Sequence, residues 1–94
     1  MAGFEWDPAK AIQSERKHGV GFREAETVFD DPEALVRDDE WHSEQEERFL
    51  ATGRSAAQRL LTVSYTMRGD STRIINARLA TPAEAAEYES NAVH

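Results

Sequence analysis

The residues most able to do chemistry sit in one stretch, EWHSEQEERFLATGRS at 40–55. His42 stands there among Glu40, Glu44, Glu46 and Glu47, and Arg48 and Arg54 follow. An unperturbed imidazole titrates at about 6.5, so a histidine exchanges protons near neutral pH. A carboxylate beside it favours the charged ring and raises that value. Arginine offers a planar fork of N–H donors that matches phosphate oxygens. A proton-transfer group next to such forks could handle a phosphodiester; the plainer reading is a solvated acidic loop that feeds a strand. Metal chemistry is the weaker alternative, because the spacing has no HExxH pattern and no second histidine close by. The chain has no cysteine, which excludes disulfides and thiolate metal sites and fits a reducing cytoplasm.

A net charge of -7 speaks against a simple nucleic-acid-binding module. The charge is unevenly placed, however. Residues 1–47 carry five basic and fourteen acidic side chains, and residues 80–94 carry three glutamates. Between them, residues 48–79 hold six arginines, no lysine and one acid, Asp70. A polyanion responds to that local cationic segment as well as to the net charge. Ninety-four residues with 39% hydrophobic side chains predict one domain over 1–94. No apolar run approaches the ~18 residues of a membrane-spanning helix, and MAGFEWDPAK lacks the apolar core of a signal peptide.

The elements that must position these groups follow from caps and periodicity. FEWD (4–7) alternates like an edge strand. Asp7-Pro8 is an N-cap with proline at the first helical position, and Gly19 closes the helix over 8–18, with Ala9, Ile12 and Arg16 on one face. Phe22, Ala25, Val28 and Phe29 recur at helical spacing over 22–30, and Asp31-Pro32 ends that pattern. A short strand is predicted within 33–39 and three more at 48–55, 59–67 and 71–80, joined by short turns such as RGD at 68–70. Thr81-Pro82 opens a last helix over 82–90. The order β-α-α-β-β-β-β-α predicts an α+β fold, an antiparallel sheet with helices on one face. Parity puts Leu61, Val63, Tyr65 and Met67 on one face, with Leu60, Thr62, Ser64 and Thr66 opposite. In the last strand Ile75, Ala77 and Leu79 are expected toward the core and Ile74, Asn76 and Arg78 away from it; Arg48, Thr52 and Arg54 share a parity in theirs. A sheet face of Thr, Ser, Asn and Arg is ordinary for an antiparallel sheet, and it also suits an anionic substrate. Trp6, Trp41, Phe22 and Phe29 are read as core rather than as base-stacking platforms.

FEWDPAKA, KHGVGFREAETVFDDP (17–32), HSEQEERF (42–49), GRS (53–55) and RIINARLAT (73–81), in that order, resemble the BrnT toxins of bacterial toxin–antitoxin pairs. The resemblance covers roughly 4–88. It implies a RelE-like ribonuclease fold, metal-independent RNA cleavage with no cofactor, and a neighbouring BrnA-like antitoxin that binds operator DNA through a ribbon-helix-helix domain. It places Lys17 and His18 after the first helix, His42, Glu46, Glu47 and Arg48 before a strand, Arg54 at its end and Arg78 in the last strand. Asn76 stands where the family usually has serine, and the last helix lacks the family's basic residues around a Glu-Arg pair. Metal-free cleavage needs a base for the 2′-OH, a cation for the pentavalent phosphate and an acid for the leaving 5′ oxygen. Arg54 and Arg78 are the expected phosphate clamp, His42 the acid, and Glu46 or His18 the base. Lys17, Arg48, Glu47 and Asn76 are expected to touch substrate. Arg59, Arg68 and Arg73 are expected at most to steer RNA by charge. The alternatives are a catalytically weak toxin homologue that binds the antitoxin and helps repress its operon, and an RNA-binding module without cleavage.

Overall fold

The computed structural model describes residues 3–40 and 46–92. Asp7 accepts a hydrogen bond from the Ala9 N–H at 2.9 Å and Pro8 fills the first helical position, so α1 (Pro8–His18) starts where the sequence predicts. Gly19, with φ of 71°, closes it in the left-handed region. The next segment divides: α2 (Phe22–Glu26) tightens into a 3-10 turn at Thr27–Asp30. The Thr27 hydroxyl donates to the Glu24 carbonyl at 2.6 Å and accepts from the Ala56 N–H at 2.8 Å, ties that a continued α-helix does not need.

The strands are β1 (Phe4–Glu5), β2 (Leu35–Asp38), β3 (Phe49–Arg54), β4 (Leu60–Arg68) and β5 (Ser71–Leu79), ordered β1-β5-β4-β3-β2 in one sheet. The fold is α+β as expected. Pairing from β2 to β5 is antiparallel, whereas β1 adds to β5 in parallel, which makes the sheet mixed. Arg73 holds that short edge strand by an ion pair to Glu5 at 2.8 Å. The core lies between α1–α2 and one sheet face, where Val20, Phe22, Ala25 and Val28 meet Ala51, Leu61, Val63, Tyr65, Ile74 and Ala77. Gly53 allows that closeness: a Cβ there would lie 2.9 Å from Ala34 Cβ and 3.0 Å from Val28 Cγ1. Among the described residues, no helix is long and apolar enough to cross a membrane.

Three local expectations are corrected. The buried side of α1 is Ala11, Ser14 and His18, whereas Ala9, Ile12 and Arg16 face solvent. A polar group sits inside because β1 leaves part of the β5 edge unpaired. There the Ser14 hydroxyl donates to Asn76 Oδ1 at 2.8 Å and lies 3.4 Å from both the carbonyl and the N–H of Ala77. Next, the register of β5 shifts: Ser64 faces Asn76, but Tyr65 faces Ile74. Ile75 is thus the extra residue of a β-bulge. Ile74 enters the core at 2% exposure and Ile75 does not, the reverse of simple alternation. Leu79, expected inside, is exposed at the strand's end.

The last helix, α3 (Pro82–Ala92), does not join the other two. Leu61 and Val63 point into the core, so Thr62 points to the opposite face, and its hydroxyl donates to Glu84 of α3 at 2.9 Å. At its start, the Thr81 hydroxyl accepts from the Glu84 N–H at 3.1 Å, while Glu84 Oε1 accepts from the Thr81 N–H at 2.9 Å. This reciprocal pair is a capping box.

Candidate active site

On the face away from the α1–α2 core, β2 to β5 line a cleft of about 430 Å³ with Arg37, Asp39, Arg48, Leu50, Thr62, Ser64, Ile75, Asn76 and Arg78. Strand pairing explains the convergence. Arg37 lies opposite Leu50, Leu50 opposite Ser64, Ser64 opposite Asn76, and Thr62 opposite Arg78. The bulge at Ile75 lets Ile74 serve the core while Asn76 and Arg78 serve the cleft.

The cleft's electrostatics centre on Glu84, which is only 9% exposed. Its carboxylate accepts from Arg78 through two parallel contacts, Nη1 to Oε1 at 2.7 Å and Nη2 to Oε2 at 3.1 Å. Arg37 Nη2 meets the same Oε2 at 2.5 Å. Burial pushes the Glu84 carboxyl up, but Arg78, the Thr81 N–H and the Thr62 hydroxyl outweigh burial and hold its pKa at about 2. The same contact, with Asp39 nearby, keeps Arg78 charged despite its partial burial. Two guanidinium groups thus share one carboxylate, and the cluster stays cationic.

A second depression, of about 290 Å³, lies along the β5 edge and is lined by Lys10, Gln13, Ser14, Lys17, His18, Ile75 and Asn76. It shares Ile75 and Asn76 with the arginine cleft. Lys17 and His18 reach it because the Ser14 face of α1 packs against β5. The two depressions together offer cations, an imidazole and neutral hydrogen-bonding side chains around one strand bulge. That is equipment for binding an anion and moving a proton beside it.

The family model for the ribonuclease toxin BrnT of type II toxin–antitoxin systems matches residues 6–84. The chain belongs to the BrnT family. It is an endoribonuclease toxin whose substrate is RNA and whose partner is an antitoxin. The fold agrees with a crystal structure of the Brucella abortus ribonuclease toxin BrnT, with a TM-score of 0.68 and 21% identity over 86% of this chain and 99% of that one. A comparison with curated proteins finds no match.

Within this BrnT chain Arg48 and Arg78 line the arginine cleft, Lys17 and His18 line the adjacent depression, and Asn76 lines both. It places Arg54 elsewhere. Arg54 lines a separate hollow with Asp31, Gln58 and Tyr88, its guanidinium 5.7 Å from the Tyr88 ring centroid and its Nη1 3.4 Å from the Gln58 carbonyl. Arg54 and Arg78 therefore do not line a common cleft, although their strands are neighbours of β4. Glu46 lies 3.7 Å from Arg68, and the Glu47 carbonyl accepts from the Thr66 hydroxyl at 2.5 Å. His42 and Trp41 lie outside the described residues. Arg59 is structural: it pairs with Glu24 and donates to the Gly19 carbonyl at 3.1 Å.

Sequence reasoning missed Arg37 and Asp39 as lining residues of the cleft and Glu84 as the carboxylate that holds its arginines. The signal for Glu84 was present, since Thr81-Pro82-Ala83-Glu84 has the spacing of a capping box. Arg37 gave little signal, because one arginine in a short edge strand is common on a solvated face.

Proposed function

We propose that the toxin cleaves messenger RNA without a metal ion, at the junction of the arginine cleft and the Lys17–His18 depression. The observation that carries this reading is the wall they share, Ile75 and Asn76. A phosphate seated there has Arg78, Arg48 and Arg37 on one side and Lys17 and His18 on the other. The arginine forks stabilise the extra charge of pentavalent phosphorus. His18 is the base that takes the 2′-OH proton, and His42 is the acid that protonates the leaving 5′ oxygen. The bond from phosphorus to the 5′ oxygen breaks as the bond from the 2′ oxygen forms, leaving a 2′,3′-cyclic phosphate and a 5′ hydroxyl. Asn76 and Lys17 orient the phosphate. Glu46 and Glu47 orient the segment that carries His42, and Arg54 meets flanking RNA backbone.

The partner we propose is a BrnA-like ribbon-helix-helix antitoxin, which contacts operator DNA on the pair's behalf and covers the arginine face with acidic or apolar groups. The toxin then acts in the cytoplasm as one domain over 1–94. The test is RNA cleavage by purified toxin across pH, with and without chelator and antitoxin. Cleavage is expected to survive chelation, His18→Ala to remove the limb that rises with pH, His42→Ala to remove the limb that falls, and antitoxin to abolish RNA binding. Loss of activity in chelator with rescue by added metal, or intact pH limbs in both variants, would overturn the mechanism. Continued RNA binding by an inhibited complex would overturn direct occlusion.

A further inference from the structure

We infer that Glu84 is a positioning residue of the RNA-cleaving site, and that through it Arg37 joins Arg78 as a second phosphate-binding fork. The inference builds on the site proposed above: it adds Glu84 and says what holds Arg37 in place there. The geometry is specific. A guanidinium has five N–H donors in a fixed plane. The end-on pairing to Glu84 occupies one N–H on each terminal nitrogen of Arg78, and Nη1 also lies 3.3 Å from the Leu79 carbonyl. Among the described residues, neither the end-on pair nor the Leu79 contact takes the Nε–Nη2 edge of Arg78, which leaves that edge for a phosphate. Arg37 touches Glu84 with Nη2 and is itself 51% exposed, against 9% for the glutamate. The carboxylate is thus the buried hub, with Arg37 as an exposed spoke and Arg78 as a half-buried one.

Glu84 itself is fixed from three directions: by the Thr62 hydroxyl on the sheet, by the Thr81 N–H in the capping box, and by the arginines. A carboxylate so anchored sets where both forks stand before RNA arrives. Such preorganisation helps the transition state, because no donor must reorient when charge develops on phosphorus. The opposite possibility has the same contacts but the opposite sign. If Glu84 merely occupied the arginines in place of phosphate, removing its charge would free them and speed cleavage.

Glutamine separates these outcomes, because it serves the capping box as glutamate does while its amide nitrogen cannot accept from arginine. RNA cleavage would be measured for Glu84→Gln, Arg37→Ala, Arg37→Lys and Arg78→Ala, with thermal unfolding and helix content recorded for each. Glu84→Gln is expected to fold with unchanged helix content, to lose at least tenfold in kcat, and to show an unchanged or lower KM because a negative charge beside the phosphate is removed. Arg37→Ala is expected to raise KM about tenfold, and Arg37→Lys not to restore it, because lysine keeps the charge without the fork. A kcat for Glu84→Gln equal to or above that of the parent would overturn positioning. Full recovery in Arg37→Lys would reduce Arg37 to charge steering and overturn the second fork. If Arg78→Ala itself leaves cleavage intact, the site is misplaced; if Arg78→Ala fails while Glu84→Gln and Arg37→Ala behave like the parent, the site stands and this inference falls.

Discussion

At the scale of single residues, the separation of Arg54 from Arg78 carries a clear expectation. Arg78 lines the cleft and holds the Glu84 carboxylate, whereas Arg54 leans on Tyr88 and donates toward the Gln58 carbonyl. Arg78→Ala should lower RNA cleavage by roughly 10²–10³, the size typical of losing one charge-stabilising donor. Arg54→Ala should lower it less than about tenfold, the effect of a contact outside the transition state. Single-turnover cleavage of a short RNA by both variants checks this, and equal losses would return Arg54 to the reacting phosphate. Of the residues singled out in the sequence, Arg48 and Arg78 line the arginine cleft, Lys17 and His18 line the neighbouring depression, and Asn76 lines both. Their types were legible there; their grouping was not. Arg54 and Arg78 share polar parity on paper, but a parity says nothing about position along the sheet. The Ile74–Ile75 exchange was hidden for a different reason, since a bulge of one residue leaves no mark in a run of two isoleucines.

At the scale of elements, α3 is held by polar contacts more than by a broad apolar face. Among the described residues Tyr88 is its one large buried aromatic side chain, and that hydroxyl donates to Asp31 Oδ2 at 2.7 Å. The other fastening is Glu84 with its capping box. Thr81→Ala removes the cap hydroxyl and should cost about 1 kcal/mol, seen as a Tm lower by roughly 4–8 °C. Glu84 adds a pH dependence whose sign is fixed. Its folded pKa of about 2 lies below the ordinary value of 4.5, so its contribution is present above pH 4.5 and is lost as pH falls toward 2. Glu84→Gln should therefore be less stable than the parent at pH 7, and the two stabilities should converge as the parent is acidified through that window. Denaturant unfolding at several pH values measures the gap; a gap that stays constant to pH 2 would show that Glu84's charge adds nothing to folding. The caps and strand order were legible because Asp-Pro, Thr-Pro and Gly have local consequences. The face chosen by α3 was not, because it depends on one carboxylate reaching Thr62 and Arg37, which are distant in sequence, as well as the nearby Arg78.

At the scale of the whole molecule, a chain of net charge -7 must attract a polyanion. The arginine face and the acidic surface belong to one body of 36 × 29 × 25 Å. Ionic strength decides which of them RNA experiences. At 0.01 M salt the screening length is about 30 Å, so the full negative charge acts on an approaching strand. At 0.15 M it is about 8 Å, and the local field of Arg37, Arg48 and Arg78 dominates near the cleft. At higher salt still, competition for phosphate contacts weakens binding, with a slope of about 0.7 per neutralised phosphate for single strands. RNA cleavage efficiency should accordingly rise, peak and then fall as salt increases. Neutralising acids far from the cleft, as in Glu26→Gln with Glu33→Gln, should raise kcat/KM at low salt and leave it nearly unchanged beyond about 0.15 M. Measuring kcat/KM for one short RNA from 0.01 to 0.5 M salt tests this. A decline from the lowest salt onward, identical in the parent and the neutralised variant, would mean that the acidic body never opposes binding.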